Sequence, residues 1–317
     1  MNILLIGGEA AGTETLRMLA ATQHRIVGVL AAEENRSPMR HLWAVASRAG
    51  YRLWPAKLVK DAAFAEQLQA KSVDVVLNVH SLYIIHDRVL AAARVGCFNL
   101  HPAPLPRYAG LNSVNWAIYR GETSHGVTLH KMVPQIDGGP IVYQSVFSIA
   151  ETESALSVAS RCAKMGLALI QRLLQVLSEG AAAPEQPQDL SRREYFGKEV
   201  PENGCVRWSC PAREIVNFVR ACDFHPFSSR WGHPKAQAAD GRTVELLKAS
   251  LTGERTAEPP GTVGDSDGTS VRVACGDEWI SVHKLLTGMR WRHASDLLRP
   301  GHRLQDGLSV RPAMPAA

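Results

Sequence analysis

Residues 1–30 read MNILLIGGEAAGTETLRMLAATQHRIVGVL, and the changes of period inside this stretch decide the fold class. Residues 3–6 are an unbroken apolar run that stops at Gly7-Gly8, the pattern of a short buried strand closed by a turn. Residues 13–21 then carry apolar side chains at helical spacing, and residues 25–30 return to a strand-like run. This is a βαβ unit. The alternation recurs downstream, with helical spacing over 62–70, an apolar strand over 73–79, a helix over 86–94 and a short strand over 97–100. Such alternation implies a mostly parallel sheet with helices on both faces, a doubly wound α/β domain.

Beyond a loop rich in Pro and Gly at 102–110, the spacing predicts a helix over 112–120, strand-like runs over 126–132 and 141–149, and a long helix from 152 to 177. Residues 181–204, AAAPEQPQDLSRREYFGKEVPENG, are poor in aliphatic side chains and mark a linker. The division expected is a catalytic domain at 1–185, a linker at 186–204, a second domain at 205–311 and a tail at 312–317. The second domain opens with a helix over 211–222, followed by β-prone segments at 243–247, 270–274 and 279–285. One helix with several short strands suggests a small β-barrel such as an OB-fold.

Composition narrows the function classes. Of the 317 residues 45% are hydrophobic and 21% charged, ordinary for a globular protein, and the net charge of +5 is spread without a basic run, which gives little ground for nucleic-acid binding. Six cysteines, at 97, 162, 205, 210, 222 and 275, show neither a Cys-x-x-Cys pair nor zinc-site spacing, so free thiols and no metal are expected. The opening residues have no basic segment or cleavage pattern, and no apolar stretch approaches the length of a membrane span. A cytoplasmic protein without a membrane partner is the expectation.

Three places could carry chemistry. Gly7-Gly8-Glu9-Ala10-Ala11-Gly12 resembles a dinucleotide-binding turn only superficially, because the pattern is G-G-x-x-x-G and the second strand ends in Leu30-Ala31-Ala32 without an acid. Asn99 and His101 sit two apart at the carboxyl end of an expected strand, so both face one side at the place where parallel sheets bind ligands. Taken alone, the pair is better explained as a turn cap and a satisfied buried histidine. Asp137, before Gly138-Gly139, changes that balance. An amide can stabilise an oxyanion, an imidazole can move a proton, and a carboxylate can orient the imidazole and favour its cation. His80, His86, His125 and His130 are set aside as structural or exposed, and Trp231, Trp279 and Trp291 read better as core or interface residues than as base-stacking platforms.

Asn99-x-His101, Pro104-Leu105-Pro106-x-Tyr108-x-Gly110, Gly121, Gly126-Val127-Thr128 and Ile136-Asp137-x-Gly139 resemble, in order and spacing, the signature of the folate-dependent formyltransferases. The resemblance covers roughly residues 1–180, and the region from Val206-Arg207-Trp208 through Arg220-Ala221 is similar to the C-terminal barrel of methionyl-tRNA formyltransferase. It implies a Rossmann-like catalytic domain and 10-formyltetrahydrofolate as formyl donor, with Asn99, His101 and Asp137 catalytic. It also implies a pterin lying against Ser81, Leu82, Tyr83, Ile84 and Ile85 and against the loop before Asp137, with Gln135 and Ile136. Gly138-Gly139-Pro140 departs from relatives, which often carry a Thr or Ala and then an acid after the glycine.

The expected acceptor is the amine of an amino acid or related specialised metabolite, free or held on a carrier protein. The tRNA enzymes insert a segment rich in Lys, Arg and Gly after the second strand, whereas residues 31–40 here, AAEENRSPMR, hold two acids against two arginines. Residues 82–85, 108–112, Trp116 and 125–128 look closer to formylation domains of peptide synthetases and to hydroxyornithine formyltransferases. Amino-sugar nucleotides are the alternative small acceptors, and the barrel keeps methionyl initiator tRNA as another. Hydrolysis of the donor and a non-catalytic folate- or RNA-binding module complete the alternatives.

Overall fold

A computed structural model of the chain describes residues 1–32, 42–288 and 290–307. Most of the 31–40 stretch used above to judge the acceptor lies outside the described residues, as do residues 308–311 of the expected second domain and the 312–317 tail. The chain forms two compact units: Met1–Ser113, Ser124–Ser148 and Ala159–Phe196 make the first, and Val114–Thr123, Ile149–Val158 and Gly197–Ala317 the second. In chain order, the elements to the middle of the sequence are β1 (Asn2–Gly7), α1 (Glu9–Ala20), β2 (Arg25–Ala31), α2 (Leu42–Arg48), β3 (Leu53–Pro55), α3 (Phe64–Ala70), β4 (Val75–Val79), α4 (Asp87–Leu90), β5 (Gly96–His101), β6 (Ala109–Gly110), α5 (Ser113–Tyr119), β7 (Ser124–Lys131), β8 (Ile141–Ser148) and α6 (Ala155–Ser178). They are followed by β9 (Tyr195–Phe196), α7 (Ala212–Ala221), β10 (Lys235–Gln237), β11 (Thr243–Arg255), β12 (Val263–Ser266), β13 (Val271–Ala274), β14 (Glu278–Thr287), β15 (Arg290–His293), α8 (Ala294–Leu297) and β16 (Gln305–Asp306).

The first unit is built on a seven-stranded sheet in the order β3-β2-β1-β4-β5-β7-β8. Its first five strands are parallel, and β7 and β8 run antiparallel to their neighbours. Ile3, Leu4, Leu5 and Ile6 are all fully buried, which is why β1 reads as a continuous apolar run. Gly7 and Gly12 serve packing at the first turn: a Cβ on Gly7 would lie 2.8 Å from Leu42 and 3.3 Å from the Gly12 Cα. The expected 86–94 helix is shorter, because after α4 the N–H of Arg94 bonds to Val73 and its guanidinium pairs with Asp74, turning the chain back into β5. Pairing of β5 with β7 is antiparallel and sets Asn99 opposite His130 and His101 opposite Thr128. That register shapes the site.

The second unit is an antiparallel sheet in the order β12-β13-β14-β11-β10-β16, with β15 on β14. Its two ends meet: Thr262 bridges Arg303, the Val263 N–H bonds to His302 O at 2.8 Å, and the Leu304 N–H bonds to Gly261 O at 2.8 Å. The sheet thereby becomes barrel-like and leaves few open edges. Ile215, Val216 and Val219 of α7 share a core with Trp208, Leu246, Val273, Ile280 and Val282. Trp231 is a core aromatic, 4.9 Å from Trp116 and edge-on to it, whereas Trp291 is exposed beneath the Lys284 ammonium. No helix among the described residues is long and apolar enough to cross a membrane.

Candidate active site

β5 is buried along its whole length, yet it carries Asn99 and His101 near its carboxyl end. Being two apart, they project from one face of the strand. Asp137 arrives from the loop between β7 and β8, in a left-handed conformation with φ of 50°, which Asp tolerates better than most residues. Gly139, two residues on, must lack a side chain, since a Cβ would sit 1.9 Å from the Lys131 carbonyl. The turn points the carboxylate back at β5. Asn99 Nδ2 donates to Asp137 Oδ1 at 3.2 Å, the Gly110 N–H donates to Oδ2 at 2.9 Å, and His101 Nδ1 lies 3.5 Å from Oδ2. The fold thus gathers Asn99, His101 and Asp137 in one cluster, each less than a tenth exposed.

Hydrogen-bond chemistry fixes several proton positions. His101 Nε2 is 2.8 Å from the Tyr108 carbonyl, which can only accept, so Nε2 carries a proton and Nδ1 faces the carboxylate. Burial lowers the His101 pKa below its ordinary value, opposed by the Asp137 charge. Burial would raise Asp137, but His101, His130 and the Gly110 N–H together hold it well below the usual carboxylate range. Asp137 is therefore the charged member, since the Gly110 and Asn99 N–H donors support its ionised form whatever the imidazoles do.

Two partners were not singled out from sequence. His130, set aside above, lies with Nε2 at 3.0 Å from Asn99 Nδ2 and 3.3 Å from Asp137 Oδ1. Its Nδ1 is 3.0 Å from the Lys131 carbonyl and so is the donor there. Only the β5–β7 register brings it in. Asn78, paired with Asn99 across β4 and β5, donates from Nδ2 to Asn99 Oδ1 at 2.9 Å and so turns the Asn99 NH2 toward the site. It did leave a sequence signal, as the single polar residue in VVLNV at 75–79.

The segment expected to meet a pterin leaves the sheet beyond β4, at the same end as Asn99 and His101. Leu82 and Ile84 are 59% and 63% exposed, a costly display of apolar surface unless something covers it. Ser81 and Tyr83 are half-buried, with Lys60 over the Tyr83 ring, whereas Ile85 is buried in the core and offers the least surface of the five. Ile136 and Gln135 are exposed at the front of the Asp137 loop, and the Gln135 side chain covers Gly138.

The family model described as "Formyl transferase" matches residues 11–174, and that of the formyl transferase C-terminal domain matches residues 199–299. Among solved structures, the sugar 3N-formyltransferase WlaRD, determined in the presence of dTDP and 5-N-formyl-THF, is 17% identical with a TM-score of 0.69 over 89% of this chain and 97% of that one. An N-formyltransferase from Helicobacter canadensis, in complex with folinic acid and dTDP-3-aminofucose, gives the same identity and TM-score over 89% and 98% of the two chains. HypX from Aquifex aeolicus, in complex with tetrahydrofolic acid, is 18% identical with a TM-score of 0.63 over 90% of this chain and 44% of that one. At such identities these structures speak to the fold, while the two family models together span both units, and on that ground the chain belongs to the formyl transferase family.

Proposed function

We propose that this enzyme moves a formyl group from 10-formyltetrahydrofolate to the amine of a small molecule, with Asn99, His101 and Asp137 as its catalytic residues. The observation that carries this reading is the buried amide, imidazole and carboxylate gathered at the carboxyl end of β5. The folate donor is supported by relatives solved with formylated or plain tetrahydrofolate and by the exposed apolar side chains of Leu82, Ile84 and Ile136.

In the transfer, the amine nitrogen bonds to the formyl carbon and the carbonyl electrons move onto oxygen. The C–N10 bond then breaks, and one amine proton ends on N10. Asn99 Nδ2, held toward the site by Asn78, has two hydrogens, which lie against Asp137 and His130. One of them turns from its partner to donate to the oxyanion, and one such donor is typically worth ~3 kcal/mol of barrier. His101 carries protons between the two nitrogens, a contribution typically of ~10²–10⁴-fold. Asp137 orients His101 and favours its cation.

For the acceptor, the likeness to enzymes solved with dTDP and with dTDP-3-aminofucose, over nearly their whole length, supports an amino-sugar nucleotide. The free or carrier-bound amino acid stands as the second reading, favoured by residues 82–85 and 108–112. Incubation with labelled 10-formyltetrahydrofolate and, separately, dTDP-amino sugars, free and carrier-bound amino acids, and methionyl initiator tRNA separates them. Label in a dTDP-sugar supports the first reading, label in an amino acid the second, and salt-sensitive labelling of tRNA alone overturns both. Release of formate in every arm would make the enzyme a hydrolase.

A further inference from the structure

Asp137 is held against its own preference. Its backbone is left-handed, two glycines follow it, and its carboxylate is buried. Such a loop needs outside support to keep one geometry. The support comes from residues 186–196, part of the stretch whose composition reads as a linker. Gln188 Nε2 donates to the carbonyls of Asp137 at 2.9 Å and Gly139 at 2.6 Å, and Arg193 Nη2 donates to that of Ile136 at 2.9 Å. Because carbonyls only accept, the Gln188 amide fits in one orientation. Its Oε1 is left buried and without a partner among the described residues.

The same segment is anchored at both ends to the walls of the site. Gln186 exchanges backbone hydrogen bonds of 2.7 and 2.9 Å with Ile141 at the start of β8. At the other end β9 pairs with β6, the Ala109 N–H bonds to Glu194 O, and the Leu111 N–H bonds to Phe196 O, both at 2.8 Å. β6 lies beside Tyr108, whose carbonyl holds His101, and includes Gly110, whose N–H holds Asp137. One segment therefore braces the backbone behind the carboxylate and the backbone behind the imidazole.

We propose that residues 186–196 act as a strap, with Gln188 and Arg193 as positioning residues that set Asp137 against His101 and Asn99. The kinetic part of this proposal rests on the catalytic reading of Asp137 given above; the geometric part does not.

The test is Gln188→Met in the full chain, with Arg193→Met and Arg193→Lys beside it, so that a folding failure of one variant leaves the others to decide. Misplacement by about 1 Å typically costs ~10²-fold; kcat is expected to fall about 10–100-fold in both Met variants, with KM for the acceptor nearly unchanged and with partial recovery in Arg193→Lys. In an Asp137→Asn background, Gln188→Met is expected to cost less than about twofold more, since residues acting through one another are not additive. NMR titration of labelled histidine supplies a readout apart from activity: when the strap is released, His101 loses the nearby carboxylate and titrates at lower pH. An unchanged His101 titration in both Met variants overturns the strap, as does an equal loss of kcat in the wild-type and Asp137→Asn backgrounds. A shifted titration with kcat intact supports the strap and sinks the catalytic reading of Asp137 instead.

Discussion

Asp137→Asn keeps the shape of the side chain and removes its charge. The wild-type carboxylate uses both oxygens, Oδ2 for the Gly110 N–H at 2.9 Å and Oδ1 for Asn99 Nδ2 at 3.2 Å. Asparagine has one oxygen. If it serves Gly110, the new NH2 faces the NH2 of Asn99; turned over, it faces the Gly110 N–H. One charge-assisted bond becomes neutral and the other is lost. With about 1.5–3 kcal/mol for a bond to a charged group and about 0.5–1.5 for a neutral one, the gross loss is about 2–5 kcal/mol. Relief of the buried charge offsets part of this, so a net destabilisation of about 1–3 kcal/mol is expected. Activity should suffer more. Without the carboxylate the imidazolium loses its nearest counter-charge and its orienting group, and kcat/KM is expected to drop about 10³-fold, within the ~10²–10⁴ range of general acid–base catalysis. Steady-state assay of the formylated product, paired with a urea melt, measures both effects. A folded variant that keeps kcat/KM within tenfold of wild type refutes the reasoning.

Asn99→Ala is expected to lower kcat ~10²–10³-fold through loss of an oxyanion donor, and to destabilise the fold by about 1–3 kcal/mol by orphaning the Asn78 amide; a double variant with His101→Ala should lose far less than the product of the single losses. Stability should also fall with pH in a defined sense. The folded pKa values of His101 and Asp137 both lie below their ordinary values of 6.5 and 3.8, so the unfolded chain binds protons more readily and the stabilisation, complete above those values, is lost as pH falls toward the folded ones. Comparing urea midpoints of wild type and His101→Gln between about pH 7 and 5 isolates the His101 share, and parallel curves would show that the ring is not buried neutral. We propose that the chain divides into separable domains at 1–185 and 205–311. Limited proteolysis should cut first at 197–204, because residues 186–196 are tied down by hydrogen bonds; early cuts at 186–196 would count against the bracing drawn above.

Much of this protein is legible in its sequence because the signals are local. Apolar runs such as 3–6 and 75–79, separated by helical spacing, specify a buried parallel sheet, since strands covered on both faces leave no polar alternation. Asn99 and His101 were legible as a pair because the two-residue period of a strand puts them on one face, and Asp137-Gly138-Gly139 because an acid before two glycines marks a turn that only a few residue types can make. What required the tertiary structure is whatever depends on register between segments distant in the chain. The antiparallel β5–β7 pairing makes His130 a neighbour of Asn99, and a shift of one residue would have turned it to the other face of the sheet. The stretch at 186–196 looks like a linker by composition because its few side chains that matter, Gln188 and Arg193, act on carbonyl groups. Backbone oxygens are the same at every residue, so no pattern of residue types could announce which ones they would meet.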